Sequence, residues 1–563
     1  MKIGQQQSPR ATAFLNQNLM WVGAFVLVFI VGLIAGGQGW QRAVQDLRSV
    51  PAQLMRSVFP SQAEGVPAMI VEMNFTNYTD ILSQREQALE AGVYIPSGGD
   101  FVTATIQLNG SATPVRMRLL EGLSDHLGDD EKWDFEVRTR QNRQLLDMQR
   151  FYLQDPAANN WLSQWAFART LEREGILVAR YRFVHLIFNG DDWGIYALQE
   201  GFANELLAAQ GRTEGVIARF DADLLWESIA HFGGDAHAAY ADPVSNLSAS
   251  DFQYFEVDTF RDADIARDPE LTAQKNTAIG LLRALQTGQL KASDAFDIEQ
   301  YGRFLALVDL WGATEGTSLV NLHYYYNLVS GRLEPIGFNA NALGSDARLS
   351  LAATYDDPIL QAAYVQEAQR VSQPEYLDQL QAELEPEFRR LQGAIRLLQE
   401  ANPKSLEPPW DRLRHRQEQM RLSLSPVQPV FAYLGSPTLA MSGTMRIEVA
   451  NVLNLPVEII GFDIHGATFL EPNREWLQGQ SAELLTDDTD KVVLRAFDAG
   501  RAPMIRYVRF DIPLVEIQRL DNELDYMQEP DIQVITRILG LSTTHWTLAR
   551  HGYPDVFVVG TQD

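Results

Sequence analysis

The sequence contains no cysteine among its 563 residues. This absence excludes disulfides, thiolate nucleophiles and cysteine-ligated metal sites, and it is compatible with either redox compartment. Positive charge is also scarce, because 46 Lys and Arg residues stand against 73 Asp and Glu residues and give a formal net charge of −27. Nucleic acid is therefore not expected as a partner, since neutralising phosphates requires a basic face.

Several catalytic motifs are missing as well. The sequence has no Gly-x-Ser-x-Gly elbow, no His-Glu-x-x-His zinc motif and no Walker loop. Its nine histidines lack the spacing of metal ligands, which disfavours a zinc hydrolase. Paired carboxylates for glycoside chemistry remain open, because their separation is set in three dimensions.

One long apolar run is present, LMWVGAFVLVFIVGLIAGG at residues 19–37. It is close to the roughly 20 residues that a membrane-spanning helix needs. A polar tail, residues 1–18, precedes it and favours an uncleaved transmembrane helix or signal anchor, although the small residues at its end leave a cleaved signal peptide open. Basic residues flank the run on both sides and do not set its orientation. We expect a single-pass membrane protein with the bulk of the chain outside the cytoplasm.

The remainder predicts an α+β chain that ends in a β-sandwich. A polar connector, residues 38–67, leads into a β-rich unit over 68–235 and a mainly helical unit over 236–430. Residues 431–525 carry short alternating strands typical of a sandwich, and residues 526–563 predict further strands.

The stretch FVHLIFNGDDWGIYALQEGF, residues 183–202, predicts a hairpin. Two apolar runs flank Asn189-Gly190, a pair that suits the positive φ angles of a tight turn. The second run delivers a lone acid, Glu200, to the end of a buried strand. Just before the hairpin, NNWLSQWAFARTLEREG has the apolar spacing of an amphipathic helix that ends at Gly175.

Five segments in this order resemble the CotH kinase family, named for a spore coat protein. They are RMRLLEG, DHLGDDEKWDFEVR, FYLQDPAANNWLSQWAFARTLEREGI, YRFVHLIFNGDDWGIYALQEGF and, far downstream, NLHYYYNLVSGRLEPIGFN, within residues 68–400. The resemblance implies an atypical protein-kinase-like fold with a β-rich lobe and a helical lobe. It also implies ATP and Mg²⁺ or Mn²⁺ bound between the lobes, and phosphorylation of a protein substrate.

The resemblance assigns roles to particular residues. Lys132 lies where the family places a lysine that contacts phosphate, Glu200 is the acid expected to hold it, and Arg219 is the second expected cation. Phosphoryl transfer depends mostly on such positioning and charge neutralisation. Without the resemblance, Lys132 would be interpreted as a solvated lysine at a strand edge, and Glu200 as an acid at a helix N-terminus.

The family pattern fails in the catalytic half. The segment IGFNANALG carries Asn339 and Asn341 where the family has metal-binding carboxylates, and Leu120 lies where related sequences often have lysine. Glu315 stands one position from the expected catalytic acid, and Asn321 matches a later asparagine that is also a candidate metal ligand together with Asn339. Replacing carboxylates by amides weakens Mg²⁺ binding, because Mg²⁺ prefers anionic oxygen.

Three functions therefore remain open. The first is a membrane-anchored CotH-like enzyme that acts on a surface or envelope protein, with Glu315 or Asp346 taking over metal binding. The second is a catalytically degraded, pseudokinase-like scaffold whose β-sandwich binds a partner. The third is a cell-envelope assembly protein or adhesin without a nucleotide.

Overall fold

The computed structural model describes residues 65–128, 132–141, 143–232, 255–351, 355–398, 406–435, 443–466, 468–477, 484–485, 491–497, 504–520 and 531–552. Among these residues, no helix combines the length and the apolar character needed to cross a membrane. The predicted transmembrane run at residues 19–37 lies outside the described residues. The fold class is mixed α+β, as the sequence predicted.

Within the described residues, the first part of the chain contains ten strands and three α-helices. The strands are β1 (Ala68–Glu72), β2 (Val93–Tyr94), β3 (Val102–Leu108), β4 (Ser111–Leu119), β5 (Gly122–Leu123), β6 (Phe135–Thr139), β7 (Arg150–Gln154), β8 (Leu177–Val178), β9 (Tyr181–Phe188) and β10 (Asp191–Glu200). The helices are α1 (Phe75–Ala91), α2 (Leu162–Arg173) and α3 (Asn204–Ala209). Seven strands close into a barrel in the order β1-β3-β4-β6-β7-β10-β9, in which β1 pairs with β9 in parallel. Closure of the barrel leaves none of these strands as an exposed edge.

Side chains alternate between the inside and the outside of the barrel. On β4, Val115, Met117 and Leu119 belong to the barrel core. Arg116 and Arg118, between them, face outwards because successive residues of a strand point to opposite faces. Side chains on β6 and β7 alternate between the core and the outside in the same way, so the outer face of β4, β6 and β7 carries polar side chains.

The predicted hairpin is confirmed as β9 and β10. Asn189 and Gly190 have φ angles of 52° and 98°, the two positive values that a two-residue hairpin turn of this kind needs. Helix α2 is likewise present, and Gly175, with a φ of 74°, follows its end. Its apolar side packs against β8 and β9 within the largest apolar core.

The middle part is mainly helical and contributes a second sheet. Its helices are α4 (Asp223–Phe232), α5 (Asp262–Ile265), α6 (Pro269–Gln286), α7 (Ala292–Ala295), α8 (Ile298–Trp311), α9 (Pro358–Val371), α10 (Pro374–Leu398) and α11 (Trp410–Ser423). Its strands are β11 (Ile217–Asp221), β12 (Glu256–Thr259), β13 (His323–Asn327) and β14 (Arg332–Gly337). They join β8 in a five-stranded sheet of order β12-β11-β13-β14-β8, so the hairpin of β13 and β14 is part of a larger sheet.

A buried ion-pair network fixes the loop that follows β14. Asp309 on α8 is fully buried and accepts hydrogen bonds from Arg348 Nε at 2.8 Å, Tyr364 Oη at 2.6 Å and the backbone N–H of Leu349 at 2.9 Å. Arg416 on α11 donates to backbone carbonyls of the same region, including that of Asp309 at 2.8 Å. Each buried charge in this network therefore has partners, as burial of charge requires.

The last part is a β-sandwich. Its strands are β15 (Val430–Leu434), β16 (Thr444–Asn451), β17 (Val457–Ile464), β18 (Thr468–Leu470), β19 (Val492–Leu494), β20 (Val508–Pro513), β21 (Ile532–Ile538), β22 (Thr544–Leu548) and β23 (Arg550–His551), with one helix, α12 (Leu514–Leu520), after β20. One sheet has the order β20-β16-β15-β23, and the other has the order β18-β17-β21-β22 with β19 also on β17. Strands after residue 526 thus pair with strands before residue 525, and both segments share one apolar core.

Candidate functional site

A cleft of about 650 Å³ lies against the outer face of β4, β6 and β7. Its other wall is formed by β11, by β13 and by the segments around Glu315 and Asn339. Five basic side chains line it, namely Arg118, Lys132, Arg138, Arg150 and Arg219, against four carboxylates. The cleft is therefore rich in basic groups, although the chain as a whole is strongly acidic.

Lys132 is held in the cleft by groups on the barrel side. Its Nζ lies 3.4 Å from Asp155 Oδ1 and 3.3 Å from the carbonyl oxygen of Ile195, and it stands 5.6 Å from the centre of the Tyr196 ring. Asp155 is itself fixed, because it caps the short helical turn Pro156–Asn159 by accepting a hydrogen bond from the backbone of Ala157. The lysine is thus an oriented cation.

Glu200, the acid predicted to hold Lys132, lies elsewhere. It is 1% exposed and pairs with Arg180, whose Nε is 2.7 Å from Glu200 Oε2. The pKa of Glu200 is raised, because burial outweighs the opposing effect of Arg180. Alternate residues of a strand point to the same side, so Glu200 points into the barrel together with Tyr196 and Leu198. The cleft lies against the outer face of the barrel. The expected Lys132–Glu200 contact is therefore not formed, and Asp155 occupies that place.

Arg219 approaches the cleft from the five-stranded sheet. On β11 it lies opposite Asp258 of β12 and His323 of β13, and its Nη2 is 3.8 Å from Asp258 Oδ2. Burial alone would lower the pKa of Arg219, but nearby carboxylates, with Glu121 first, raise it. Its buried Nε has no hydrogen-bond partner within the described part of the chain. This N–H is free to donate to a ligand in the cleft.

Glu315, Asn321 and Asn339 come together on the helical side. The Asn321 amide donates to the backbone carbonyls of Glu315 at 3.1 Å and Asn339 at 3.2 Å. The Asn341 amide donates to Glu315 Oε1 at 2.6 Å and orients that carboxylate. Gly316 allows the two segments to meet, since a Cβ there would lie 2.9 Å from the Cβ of Ala340. The buried Oδ1 of Asn339 has no partner among the described residues.

His323 lines the cleft and is uncharged near neutral pH. Burial lowers its pKa to about 3, and its ring stacks on Phe202 with the two centres 4.1 Å apart. A neutral, stacked imidazole serves as part of the apolar wall. Among the carboxylates of the cleft, Asp155 pairs with Lys132 and Glu315 accepts a hydrogen bond from Asn341.

The donor set suits an anion better than a pre-formed metal site. No group of three His, Cys, Asp or Glu side chains within the described ranges could hold a metal ion. Asp346, considered above as a replacement ligand, has a side chain that is 94% exposed and pairs with Arg412, away from the cleft. Glu315 and the unpaired Oδ1 of Asn339 could contribute oxygen ligands, but most of the others would have to come from phosphate and water.

Several charged cleft residues escaped the sequence analysis, among them Arg118, Glu136, Arg138 and Arg150. For the first three, the signal is the period-two pattern of RMR and FEVR, in which charges alternate with core residues. That pattern indicates a polar outer face, but it does not reveal that a second wall covers this face. The missed role of Asp155 has the same origin, because its contact with Lys132 spans 23 positions of sequence.

Comparison with known protein families supports the resemblance. The family model described as CotH kinase protein matches residues 129–363, a narrower span than the 68–400 predicted from the motifs. The matched span includes every predicted site residue. No curated protein matches the chain. Residues 129–363 thus carry a match to the CotH kinase family domain.

Proposed function

We propose that this protein binds ATP in the cleft and acts as a kinase-like phosphoryl-transfer enzyme, with the barrel and the helical region as its two lobes. The observation that carries the proposal is the convergence of Lys132 and Arg219 with Glu315, Asn321 and Asn339 on one cleft. These residues come from segments up to about two hundred positions apart, and core packing does not require them to meet.

The cationic groups account for binding of the triphosphate. Lys132 is oriented by Asp155, and Arg219 has a buried N–H without a partner among the described residues. Both would donate to phosphate oxygens and neutralise their charge. Because phosphoryl transfer is dominated by positioning and electrostatic stabilisation, these two contacts would carry much of the chemistry on the barrel side.

Glu315 and Asn339 are the residues that would hold a divalent metal ion in this proposal. Such an ion would supply further neutralisation of phosphate charge. Glu315 would also accept the proton of the acceptor hydroxyl or orient that hydroxyl, since its carboxylate lines the cleft and is fixed by Asn341. Asn321 would keep the segments of Glu315 and Asn339 together through its two hydrogen bonds.

A second candidate is a nucleotide-binding, pseudokinase-like scaffold. The observation that favours it is the small number of acidic residues that could bind a metal ion. Asn339 and Asn341 carry amides, and the described residues contain no cluster of three metal-ligating side chains. In that case ATP would stabilise the relative placement of the two walls, and the β-sandwich would bind a partner.

The proposed acceptor is a surface or envelope protein. The support is the apolar run at residues 19–37, which would anchor the chain as a single-pass membrane protein with its bulk outside the cytoplasm. Protease treatment of intact cells tests this placement. Degradation of the bulk of the chain is expected, and complete protection would contradict an exterior location.

Isothermal titration of the full chain, purified in detergent, with ATP and Mg²⁺ or Mn²⁺ tests the proposal. We expect binding at or below about 1 mM ATP, in the range of ordinary enzyme affinities. Lys132→Ala should abolish it, and Lys491→Ala, a lysine-to-alanine change in the β-sandwich, should not. No binding by the unmodified chain would overturn both candidates. Binding without transfer of a labelled γ-phosphate to any acceptor would select the scaffold.

A further inference from the structure

Three arginines lie side by side on the outer face of β4, β6 and β7, where Arg138 and Arg150 line the cleft and Arg116 is exposed beside them. The strand register places Arg116 of β4 opposite Arg138 of β6, and Arg138 opposite Arg150 of β7. Directly opposed residues of antiparallel strands have Cβ atoms only about 5 Å apart, and like charges in such positions destabilise a sheet. This set is called the arginine row below.

The arginine row is short of negative charge. Glu136 pairs with Arg138 at 2.6 Å, but it is shared with Arg118, also at 2.6 Å. Arg116 and Arg150 form no hydrogen bond or ion pair through their side chains within the described part of the chain. Burial, followed by the neighbouring Arg138, lowers the pKa of Arg150. The fold therefore tolerates an electrostatic cost at this place.

An aromatic ring contacts two members of the row, Arg116 and Arg138, and the neighbouring Arg118. The guanidinium carbons of Arg118 and Arg138 each lie 4.5 Å from the centre of the Phe101 ring, and that of Arg116 lies 5.9 Å from it. Cation–π contacts of this kind limit the motion of long side chains. Less conformational entropy is then lost when a ligand binds, which is the advantage of a pre-organised site.

The arginine row and Lys132 lie at different places along the barrel wall, because Arg138 is opposite Arg150 whereas Lys132 pairs with Asp155. Arg138 follows Lys132 by six positions, which corresponds to roughly 20 Å of extended chain at the rise of a β-strand. A ligand group at the arginine row would thus belong to a different part of the cleft, or to a second molecule.

We propose that the arginine row binds an anionic side chain, phosphorylated or carboxylic, of the polypeptide that accepts the phosphoryl group. This inference rests on the proposed function, because it assigns the acceptor of that same cleft. Paired guanidinium groups recognise phosphate and carboxylate oxygens through charge-assisted hydrogen bonds. The row would select acceptor sites that lie near an acidic or already phosphorylated residue.

The shape of the site favours a polypeptide over a membrane or a nucleic acid. The side chains of Arg118 and Arg138 are only 12% and 31% exposed, so they lie within the cleft rather than on an open surface. A flat bilayer cannot reach them, whereas a single extended chain can. The net charge of −27 would repel a long polyanion more strongly than a short acidic segment.

Fluorescence anisotropy with labelled serine peptides and the full chain tests the proposal. Three peptides would carry phosphoserine, glutamate or glutamine beside the acceptor serine. We expect the two anionic peptides to bind and the glutamine peptide to bind at least about ten-fold more weakly. Arg116→Gln and Arg150→Gln should each weaken the anionic peptides by about ten-fold. The exposed Arg267→Gln, outside the cleft, is the matched control and should change nothing.

Further measurements on the same proteins distinguish the alternatives. The stronger of the phosphoserine and glutamate peptides identifies the anion, and either result supports the proposal. Equal binding of all three peptides would overturn it. So would a ten-fold loss of ATP affinity in Arg150→Gln without loss of peptide binding, or Arg150-dependent binding of phosphatidylglycerol vesicles without peptide binding. If the unmodified chain binds the anionic peptides but no ATP, the proposal for the arginine row is supported and the proposed function is overturned.

Discussion

Two groups of arginines in this molecule differ in whether their positive charge has hydrogen-bonding partners. Behind the cleft, Arg348 and Arg416 surround the buried Asp309, and their N–H groups reach carboxylate or carbonyl oxygens. On the barrel wall, Arg116 and Arg150 lie in register with Arg138 and have no such partners within the described residues. Compensated charge fixes the loop that carries Asn339, whereas uncompensated charge leaves hydrogen-bonding capacity for a ligand. The first group should therefore govern stability and the second should govern binding.

The largest effect is expected at Asp309. Asp309→Asn would leave Arg348 and Arg416 buried beside a neutral group, and breaking a buried ion pair in this way costs about 3–5 kcal/mol. Thermal unfolding of the full chain should show a clearly lower midpoint.

Acid should have a related effect at Asp309. Burial would raise the pKa of Asp309, but Arg348 and the hydrogen bonds lower it below its usual value. Its stabilising contribution is thus complete above the pKa of an unfolded aspartate, about 3.9, and is lost as the pH falls through the lower folded value. An unchanged midpoint in Asp309→Asn would contradict a stabilising role for this network.

The second comparison is between Glu200 and Lys132. Glu200→Ala should lower the unfolding midpoint, because Arg180 loses its buried partner, at a cost of about 3 kcal/mol. ATP affinity of the folded protein should remain within about two-fold of the original, because Glu200 does not line the cleft. Lys132→Ala should show the reverse pattern, in which ATP binding is lost and the unfolding midpoint changes little. Loss of ATP binding in Glu200→Ala without any loss of stability would restore the role first predicted for this acid.

A third change tests the shortage of carboxylates on the helical wall. Asn339→Asp would add a negative oxygen beside Glu315, and we expect the affinity for Mn²⁺ in the presence of ATP to rise by about ten-fold. Asparagine and aspartate both tolerate the left-handed φ of 40° at this position. Asn109→Asp, at an exposed turn with a φ of 51°, is the matched control. A decrease in Mn²⁺ affinity would show that Asn339 is not directed towards the metal.

The smallest effect is expected for the arginine row. Arg116→Gln and Arg150→Gln remove like charges that repel each other and break no ion pair within the described residues, so the change in stability should stay within about 0.5 kcal/mol. Denaturant unfolding of the two variants checks this. A loss as large as that at Asp309 would show that these arginines hold the fold together, and the contrast between the two groups would disappear.

Local sequence signals predicted much of the fold. Asn189-Gly190 specified the hairpin, and Gly175 marked the end of α2. The parallel pairing of β1 with β9, which closes the barrel, joins segments more than one hundred positions apart and leaves no local signature.

The sequence predicted which residues line the candidate site better than it predicted which of them contact each other. Lys132, Arg219, Glu315, Asn321 and Asn339 all line the cleft. Their roles as ligands of ATP or metal remain predictions. The partner of Lys132 was not accessible from the sequence, because it depends on which face of β10 points into the barrel. The same applies to the arginine row, since register between strands decides which charges oppose each other.

Hydrogen exchange of the full chain with and without ATP and Mn²⁺ tests the central claim most directly, because the claim is that one nucleotide contacts both walls of the cleft. We predict slower exchange at residues 132–136 and 154–155 on the barrel side and, together with them, at residues 315–323 and 338–341 on the helical side. Protection of only one wall, or of neither, would contradict the account.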